Sequence, residues 1–577
     1  MKKIFALLMA LLMIAGLAVG CQQAPADKPA TPDEGTTTPT EPTTPTEPAA
    51  LDLVVNFASE PQTIDPALNS AVDGAVMLQH LFEGLYKWVP GDGEAQKAGQ
   101  PAANAKLALG QAASVTVSED NLVYTFTLRD DIKWSDGKPV VAGDFEYAWK
   151  RLADPATAAD YNYMIEMVLN YSDIAAGKKQ PSELGIKALD EKTLEIKLAA
   201  ACPYFDEICA FPATFPVRQD TIEAAKDQWT FSIDTYITNG PYKMTEWEHN
   251  SFILMEKNEN YYDLAILGPN SIKFALMDDA NAIYAGFQSG DLNFIQEVPV
   301  AEIPALLDSG KLNIQKYIGT YYVCFQTQKA PFDNPKVREA FNLAIDRNYI
   351  VKQITQTGQV PANGFVPYGV NDAAGASGDD FRTVGGAYFD PSEAAYEANC
   401  EKARALLAEA GYPEGKDFPV VEYLYNTNEN HKMIGEALQN MWQTQLGVTV
   451  TLNNQDWAVF LQTRKDGDYS IARNGWIADY NDPMCFIDMW VTKGGNNDAQ
   501  YANPKFDELI KAAKLSSDPA ERMSLMHQAE DILIGQDKVL GPIYFYTDKN
   551  MNQGFENLWF TSLGYYFFMY ATPVPVA

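Results

Sequence analysis

Between residues 320 and 490 the chain alternates segments that have strand patterns with segments that have helical spacing of apolar residues. Strands are predicted at 321–328, 420–426 and 448–452, and a helix is predicted at 432–446. Gly447 ends that helix, and the last strand follows at once. Neighbouring strands that are joined through a helix run parallel, so the sequence predicts an α/β fold with a partly parallel sheet.

Turn and cap residues place the other elements. Asn334-Pro335 and Asp390-Pro391 are typical helix starts, and Gly411 is expected to end the second of these helices. Asp144 is expected to cap a helix that reaches residue 152. Elsewhere the patterns predict a strand at 51–58, a helix at 71–86, a solvent loop at 91–113 and a hairpin at 115–130.

The ends of the predicted strands indicate where a ligand would bind. In open α/β sheets, ligands bind beyond the carboxyl ends of the strands. Lys329 and His431 follow the predicted strands 321–328 and 420–426, and the stretch 471–483, IARNGWIADYNDP, is expected at the end of a further strand. Arg473 and Asp479 in that stretch could meet the two charged ends of a zwitterion. They could instead form an internal ion pair, since structural pairs show the same spacing.

The first fifty residues are predicted to be an export signal and a tether. Residues 1–20 combine two lysines with a short apolar run, and Cys21 stands at the cleavage point, as in bacterial lipoproteins. We therefore expect Cys21 to be lipidated, and a plain secretory signal is the alternative. Residues 22–50 are rich in Pro, Thr, Ala and Glu, which predicts a disordered spacer from the membrane.

Composition excludes some classes of function. A formal net charge of −33 argues against nucleic-acid binding. The five cysteines beyond Cys21 lack metal-ligand spacing, and Cys202 and Cys209 would lie too far apart for a disulfide if the segment between them is helical. The four histidines include no HExxH motif, and there is no GxSxG motif. We expect no cofactor, no metal and no catalytic residue, and a secreted peptidase is the less favoured alternative.

Several long motifs resemble one protein family. These are IKWSDGKPVVAGDFEYAWKRL (132–152), ITNGPYKM (237–244), QKAPFDNPKVREAFNLAIDR (328–347), LYNTNENHK, NNQDWAVFLQTR and ARNGWIADYNDP. Their order from residue 51 to about 548 resembles that of the oligopeptide-binding proteins that serve ABC importers, the extracellular solute-binding proteins of family 5. The resemblance implies a two-lobed class II (cluster C) periplasmic-binding fold with mixed sheets, flanking helices and an added third domain.

The resemblance also implies domain boundaries and a function. Lobe I would comprise 51–82, 205–292 and 547–577, the additional domain 83–204, and lobe II 293–546. The protein would capture an extended oligopeptide by hinge closure and deliver it to a membrane permease, as a monomer anchored outside the cell membrane or on its periplasmic face. Dipeptides, cell-wall peptides, nickel complexes and sugars are alternative ligands on this scaffold.

Site residues are carried over from the family residue by residue. Asp479 would bind the peptide's α-amino group, and Arg473, His431 or Lys329 would bind its carboxylate, depending on peptide length. The remaining contacts implied by the resemblance are cleft-lining or backbone-contacting residues: Glu60 in the loop Ser59–Gln62, Tyr147, Asn426, Trp457, Arg464, Trp476 and Tyr546.

Overall fold

The computed structural model describes residues 50–575, so the predicted export signal, Cys21 and most of the tether lie outside the described residues. The strands of the first half are β1 (Asp52–Val55), β2 (Tyr86–Pro90), β3 (Ala103–Leu109), β4 (Ala112–Val117), β5 (Val123–Leu128), β6 (Ile186–Ala188), β7 (Thr193–Lys197), β8 (Tyr242–Glu248), β9 (Phe252–Lys257), β10 (Ser271–Ala275) and β11 (Phe294–Ile295). Those of the second half are β12 (Asn313–Phe325), β13 (Val360–Pro361), β14 (Val421–Asn426), β15 (Val450–Gln455), β16 (Ile471–Ile477), β17 (Leu540–Asn552), β18 (Phe555–Glu556), β19 (Trp559–Phe560), β20 (Tyr566–Phe567) and β21 (Thr572–Pro573).

Sixteen α-helices flank these strands in the described part of the chain. The first eight are α1 (Val72–Leu81), α2 (Ala142–Ala153), α3 (Tyr171–Ala175), α4 (Phe205–Ile208), α5 (Gln219–Ala225), α6 (Ala280–Ser289), α7 (Ile303–Asp308) and α8 (Pro335–Leu343). The others are α9 (Arg347–Tyr349), α10 (Phe381–Gly385), α11 (Tyr396–Glu409), α12 (Glu429–Leu446), α13 (Trp457–Lys465), α14 (Met484–Ile487), α15 (Pro504–Leu515) and α16 (Pro519–Glu530).

Two sets of strands form one continuous mixed sheet. The first set is ordered β8-β9-β10-β1-β11, and the second is ordered β17-β12-β16-β14-β15. They meet where β11 pairs with β17 at Phe294 and Asn552. The mixed α/β class is confirmed, and the predicted parallel arrangement is confirmed for β14, which pairs in parallel with β15 and with β16.

The long strand β17 joins the two sets through β11, and β12 is its neighbour in the second set. Both are 13 residues long, and they pair antiparallel over almost their whole length. Their register shifts between Lys316 and Thr320, where the ladder is irregular. Strands β4, β5, β6 and β7 form a separate antiparallel sheet. The exact domain boundaries given above stay a prediction.

Packing of α12 against α8 fixes the helix start that carries His431. The indole Nε1 of Trp442 donates to the carbonyl of Phe341 at 2.8 Å, and the two rings lie 5.2 Å apart in the core of the second set. Asn428 caps the helix by accepting from the backbone N–H of His431 at 3.1 Å. Gly447 ends it in the left-handed conformation, at φ +70°, as its sequence position predicts.

Three predicted element boundaries were wrong. The segment 91–113 contains the strand β3 in addition to loops, because its alanines and leucines pair with β2. Asp144 is not the cap of α2, which begins at Ala142; its carboxylate instead accepts from the backbone N–H of Val141 at 3.0 Å. The helix expected at Asp390 begins only at Tyr396, after the short 3-10 turn Glu393–Ala395.

Candidate ligand-binding site

A cavity of about 390 Å³ lies between the carboxyl ends of β14 and β16 and the loops of the first set. Its volume is within the range of about 300–1,000 Å³ typical of ligand sites. Eight of the predicted site residues line it: Asn426, His431, Trp457, Arg464, Arg473, Trp476, Asp479 and Tyr546.

Asp479 lies just beyond the end of β16 and is held by two side chains. The Tyr161 hydroxyl donates to its Oδ1 at 3.1 Å, and the Cys485 thiol lies 3.6 Å from its Oδ2. Among residues 50–575, none forms a salt bridge with it. Burial raises the pKa of the Asp479 carboxyl to about 8, although both neighbours favour the charged form. A cation that entered here would lower the pKa of this carboxyl again and so favour its ionised form.

Arg473 points into the same cavity from within β16. Its guanidinium lies 5.2 Å from the ring of Tyr321, and Tyr546 also lies close to it. No Asp or Glu of the described chain pairs with it, and its buried Nε has no hydrogen-bond partner there. Glycine at 475 makes room for this arrangement, because a Cβ would lie 2.3 Å from the Tyr546 hydroxyl. Arg473 is thus a desolvated cation that lacks an anion.

His431 is the second group on the cationic side of the cavity. Its Nδ1 lies 3.3 Å from the hydroxyl of Tyr321, at the amino-terminal end of α12. Burial, followed by the positive charges of Arg473 and Lys549, holds the pKa of His431 well below its usual value. The imidazole is therefore neutral in the empty cavity, where the helix end still favours an anion.

Arg473 and Asp479 do not pair with each other, although six positions separate them. The internal Arg–Asp pair that the sequence left open is therefore not formed among the described residues. The cavity offers a carboxyl group without a cation and a guanidinium without an anion. A ligand that carries both an ammonium and a carboxylate would complement the two.

The other predicted residues of the cavity wall contribute to its shape and not to its unpaired charges. Arg464 is held in an ion pair with Asp498 at 2.7 Å. Trp476 donates its Nε1 to the carbonyl of Cys485 at 2.9 Å, which fixes its ring beside the cavity. Asn426 ends β14, and its buried Oδ1 has no hydrogen-bond partner in the described chain.

Three predicted site residues do not line this cavity. Lys329 follows β12, but β12 runs antiparallel to β16, so the residues after it lie beside the start of β16. Its ammonium donates to the carbonyl of Gly467 at 2.6 Å, at the opposite edge of the sheet. Glu60 accepts from His249 at 2.6 Å, while its neighbours Ser59 and Gln62 do line the cavity.

Tyr147 is the third of these residues. It lies half-buried on α2 and packs against the core. Phe145, Ala148, Trp149 and Leu152 form the buried face of α2, and Tyr147 packs against this core without lining the cavity.

Tyr161 and Asp73 are among the residues of the cavity wall that the sequence analysis missed. Tyr161 and Asp73 contact Asp479 and Trp457, which lie 318 and 384 positions away along the chain. Neither belongs to a motif with a recognisable spacing. Only the fold brings them to the site, so no local sequence signal could have found them.

The sequence of the chain matches a known family over the region that builds this cavity. The family model described as bacterial extracellular solute-binding proteins, family 5, middle region, matches residues 106–498. That is well over half of the chain, and it includes α12, α13 and β16. The chain belongs to the family 5 extracellular solute-binding proteins. The predicted resemblance and the two-lobed fold with an extra domain are thereby confirmed.

Curated and solved members of family 5 align with nearly the whole chain. The oligopeptide-binding protein OppA of Bacillus subtilis is 35% identical over 86% of this chain and 88% of its own. Haemophilus influenzae OppA, solved in complex with RPPGFSPFR, has a TM-score of 0.83 at 30% identity and covers 91% of this chain and 99% of its own.

A third relative is the murein tripeptide-binding protein MppA of Escherichia coli, and a further MppA structure is described as the unliganded open form. The Escherichia coli structure has a TM-score of 0.80 at 29% identity and covers 92% of this chain and 99% of its own. The structure described as the unliganded open form has a TM-score of only 0.54 at 30% identity, covering 88% of this chain and 93% of its own.

Family 5 proteins bind solutes outside the cytoplasm. Within residues 50–575, no group of three His, Cys, Asp or Glu side chains could hold a metal ion. No helix in that part of the chain is long and apolar enough to cross a bilayer. The cysteines Cys202, Cys209, Cys324, Cys400 and Cys485 are all buried thiols.

Proposed function

We propose that this chain captures oligopeptides with free termini for an ABC importer and delivers them to the membrane permease. The observation that carries the proposal is the pair of unmatched charges in one cavity, the Asp479 carboxyl and the Arg473 guanidinium. Asp479 binds the α-amino group, and Arg473 with His431 binds the carboxylate. Lys329 is not part of this assignment, because it lies at the opposite edge of the sheet.

The peptide lies extended between the lobes and is enclosed by hinge closure. Its backbone pairs with protein backbone as an added strand would, which gives affinity without reading the sequence. Among the described residues, the two sets of strands are joined in the sheet only where β11 pairs with β17, so a change in these few residues reorients one lobe against the other. The proposed protein is a monomer that includes the additional domain. A lipid on Cys21 holds it at the outer face of the membrane.

Contacts between the lobes support closure as the state described here. The Trp457 indole donates to Asp73 at 3.2 Å, and the backbone N–H of Asn481 donates to Glu207 at 3.2 Å. From the additional domain, the Tyr161 hydroxyl donates to Asp479 in lobe II. The higher similarity to one MppA structure, 0.80 against 0.54 for the open form, supports the same arrangement. A peptide that touches both lobes favours this state over an open one.

Isothermal titration with alanine peptides of two to five residues tests the function. We expect tri- to pentapeptides to bind with micromolar or tighter affinity and N-acetylated, C-amidated versions to bind far more weakly. Absence of binding by every peptide, with circular dichroism showing a folded protein, would sink the proposal. Binding confined to the dipeptide would reassign the chain to dipeptide capture. One relative, 36% identical, is named as a dipeptide-binding protein, DppE of Bacillus subtilis.

Binding of trialanine should release a proton near neutral pH. The pKa of Asp479 is about 8 in the empty cavity, and a contacting ammonium lowers it, so the complex holds fewer protons than the free protein. Affinity should therefore rise from pH 6 toward pH 8. Above about pH 8 it should fall again, because the peptide's own α-amino group deprotonates.

Calorimetry at pH 7 in buffers of different ionisation enthalpy measures this release. We expect up to one proton per trialanine in the natural protein and markedly fewer in the Asp479→Asn variant. Comparing the two proteins separates the proton released by Asp479 from any released by Asp488 or His431. Burial raises the pKa of Asp488 to about 7, so its contribution has to be distinguished. Equal release by both proteins would contradict the assignment.

A further inference from the structure

Asp73 is a buried carboxylate in the cavity wall that the binding of peptide termini does not use. It is the second residue of α1, and only 6% of its surface is exposed. Its Oδ2 accepts from the Trp457 indole at 3.2 Å, while its Oδ1 has no hydrogen-bond partner among residues 50–575. A buried carboxylate oxygen without a donor is costly, so a donor that arrives with the ligand would be favoured.

Within residues 50–575, no lysine or arginine forms a salt bridge with Asp73. The described cavity wall contains seven acidic side chains but only four lysines and arginines. On α13, beside Trp457, the ammonium of Lys465 lies 2.5 Å from Asp160, and Arg464 pairs with Asp498. Across the cavity, Lys549 lies 3.2 Å from Glu297. Once Arg473 is assigned to the ligand carboxylate, none of the four is left for Asp73.

We propose that Asp73 and Trp457 form a subsite for a basic side chain of the peptide, which makes lysine- and arginine-containing peptides the preferred ligand class. The ring of Trp457 offers a face for the methylene stem and a cation–π contact, and the free Oδ1 of Asp73 accepts from the ammonium or guanidinium. This subsite rests on the proposed peptide function and adds a preference to it.

The ionisation of Asp73 fits this role. Burial raises the pKa of its carboxyl to about 6, and the backbone N–H of Gly74, followed by the Trp457 indole, limits the rise. The group is therefore mostly ionised at pH 7, unlike Asp479. A basic side chain can pair with it without first displacing a proton, and the two carboxyl groups are suited to different cations of one ligand.

Six tripeptides test the subsite by calorimetry on the full chain. Three carry lysine at position 1, 2 or 3 among alanines, and three carry norleucine, which keeps the stem and removes the ammonium. We expect lysine to be preferred about tenfold at one position, as a charge-assisted hydrogen bond implies, and near equality at the other two. In Asp73→Asn this preference should vanish, with norleucine peptides bound as before.

Asp278→Asn is the matched control, because it removes one negative charge from the exposed rim of the same cavity. It should leave the lysine preference intact. Trp457→Phe keeps an aromatic ring and should reduce the lysine preference only in part.

Two outcomes would contradict the subsite. If Asp73→Asn weakens the binding of lysine and norleucine peptides equally, Asp73 only holds the lobes together and the subsite is refuted. If all six peptides bind the natural protein equally, the subsite fails while peptide capture stands; if none binds, the proposed function itself fails.

Discussion

Replacing Asp479 by asparagine should weaken the binding of peptides that have a free α-amino group on the order of 100-fold. The asparagine keeps the size of the side chain and can still accept from Tyr161, so the variant should fold. It loses the negative charge that faces the ligand ammonium. Removing one partner of a buried, hydrogen-bonded charge pair costs about 2–5 kcal/mol, which sets the scale of the loss.

Calorimetry with trialanine and N-acetyl-trialanine separates this role from a structural one. The acetylated peptide has no ammonium, so its weak binding should change little in the variant. Glu60→Gln is a suitable control, because Glu60 binds His249 outside the cavity and should leave trialanine affinity unchanged. Equal losses for the free and acetylated peptides would show that Asp479 does not recognise the α-amino group.

The sequence predicted those parts of the fold that depend on local patterns. The strand and helix alternation after residue 320 predicted the parallel pairing of β14 with β15, because the connection between them leaves no other arrangement for neighbours. Cap residues marked the start of α8 at Asn334 and the end of α12 at Gly447. Asp390-Pro391 failed as a helix start because Pro fixes only its own φ and a 3-10 turn intervenes.

The residues of the candidate site could be predicted only where the direction of the preceding strand could be predicted. Arg473, His431 and Asp479 were expected on one rim, and the structure brings them there because β14 and β16 are parallel. Lys329 was expected beside them on the assumption that β12 has the same direction. No local pattern records that β12 is antiparallel, since a strand alternates its side chains identically in either direction.

The charges of the cavity connect recognition with closure. The carboxyl of Asp479 and the guanidinium of Arg473 are buried without an oppositely charged partner in the described chain, which makes the empty closed state unfavourable. A peptide neutralises both at once, so its binding free energy includes relief of these penalties. The empty protein should therefore open readily, and the lobes should stay closed only when a zwitterionic ligand lies between them.

Replacing Arg473 by methionine should reduce the affinity for trialanine on the order of 100-fold and keep or raise the stability of the ligand-free protein. Methionine fills a similar volume among Tyr321 and Tyr546 without a charge to desolvate. Replacing buried charged groups by apolar ones of similar size is often neutral or stabilising by about 1–4 kcal/mol. The lost contact to the carboxylate is expected to cost about 2–5 kcal/mol of binding free energy.

Thermal unfolding with and without trialanine measures both effects in one experiment. For Arg473→Met we expect an unfolding temperature equal to or above that of the natural protein without ligand, and almost no rise on adding peptide. C-amidated trialanine should lose much less affinity than trialanine. Lys329→Met, which removes a cation from the opposite edge of the sheet, should retain the full ligand-induced rise. A destabilised Arg473→Met protein that still binds trialanine normally would mean that the guanidinium supports the fold and leaves the carboxylate to His431.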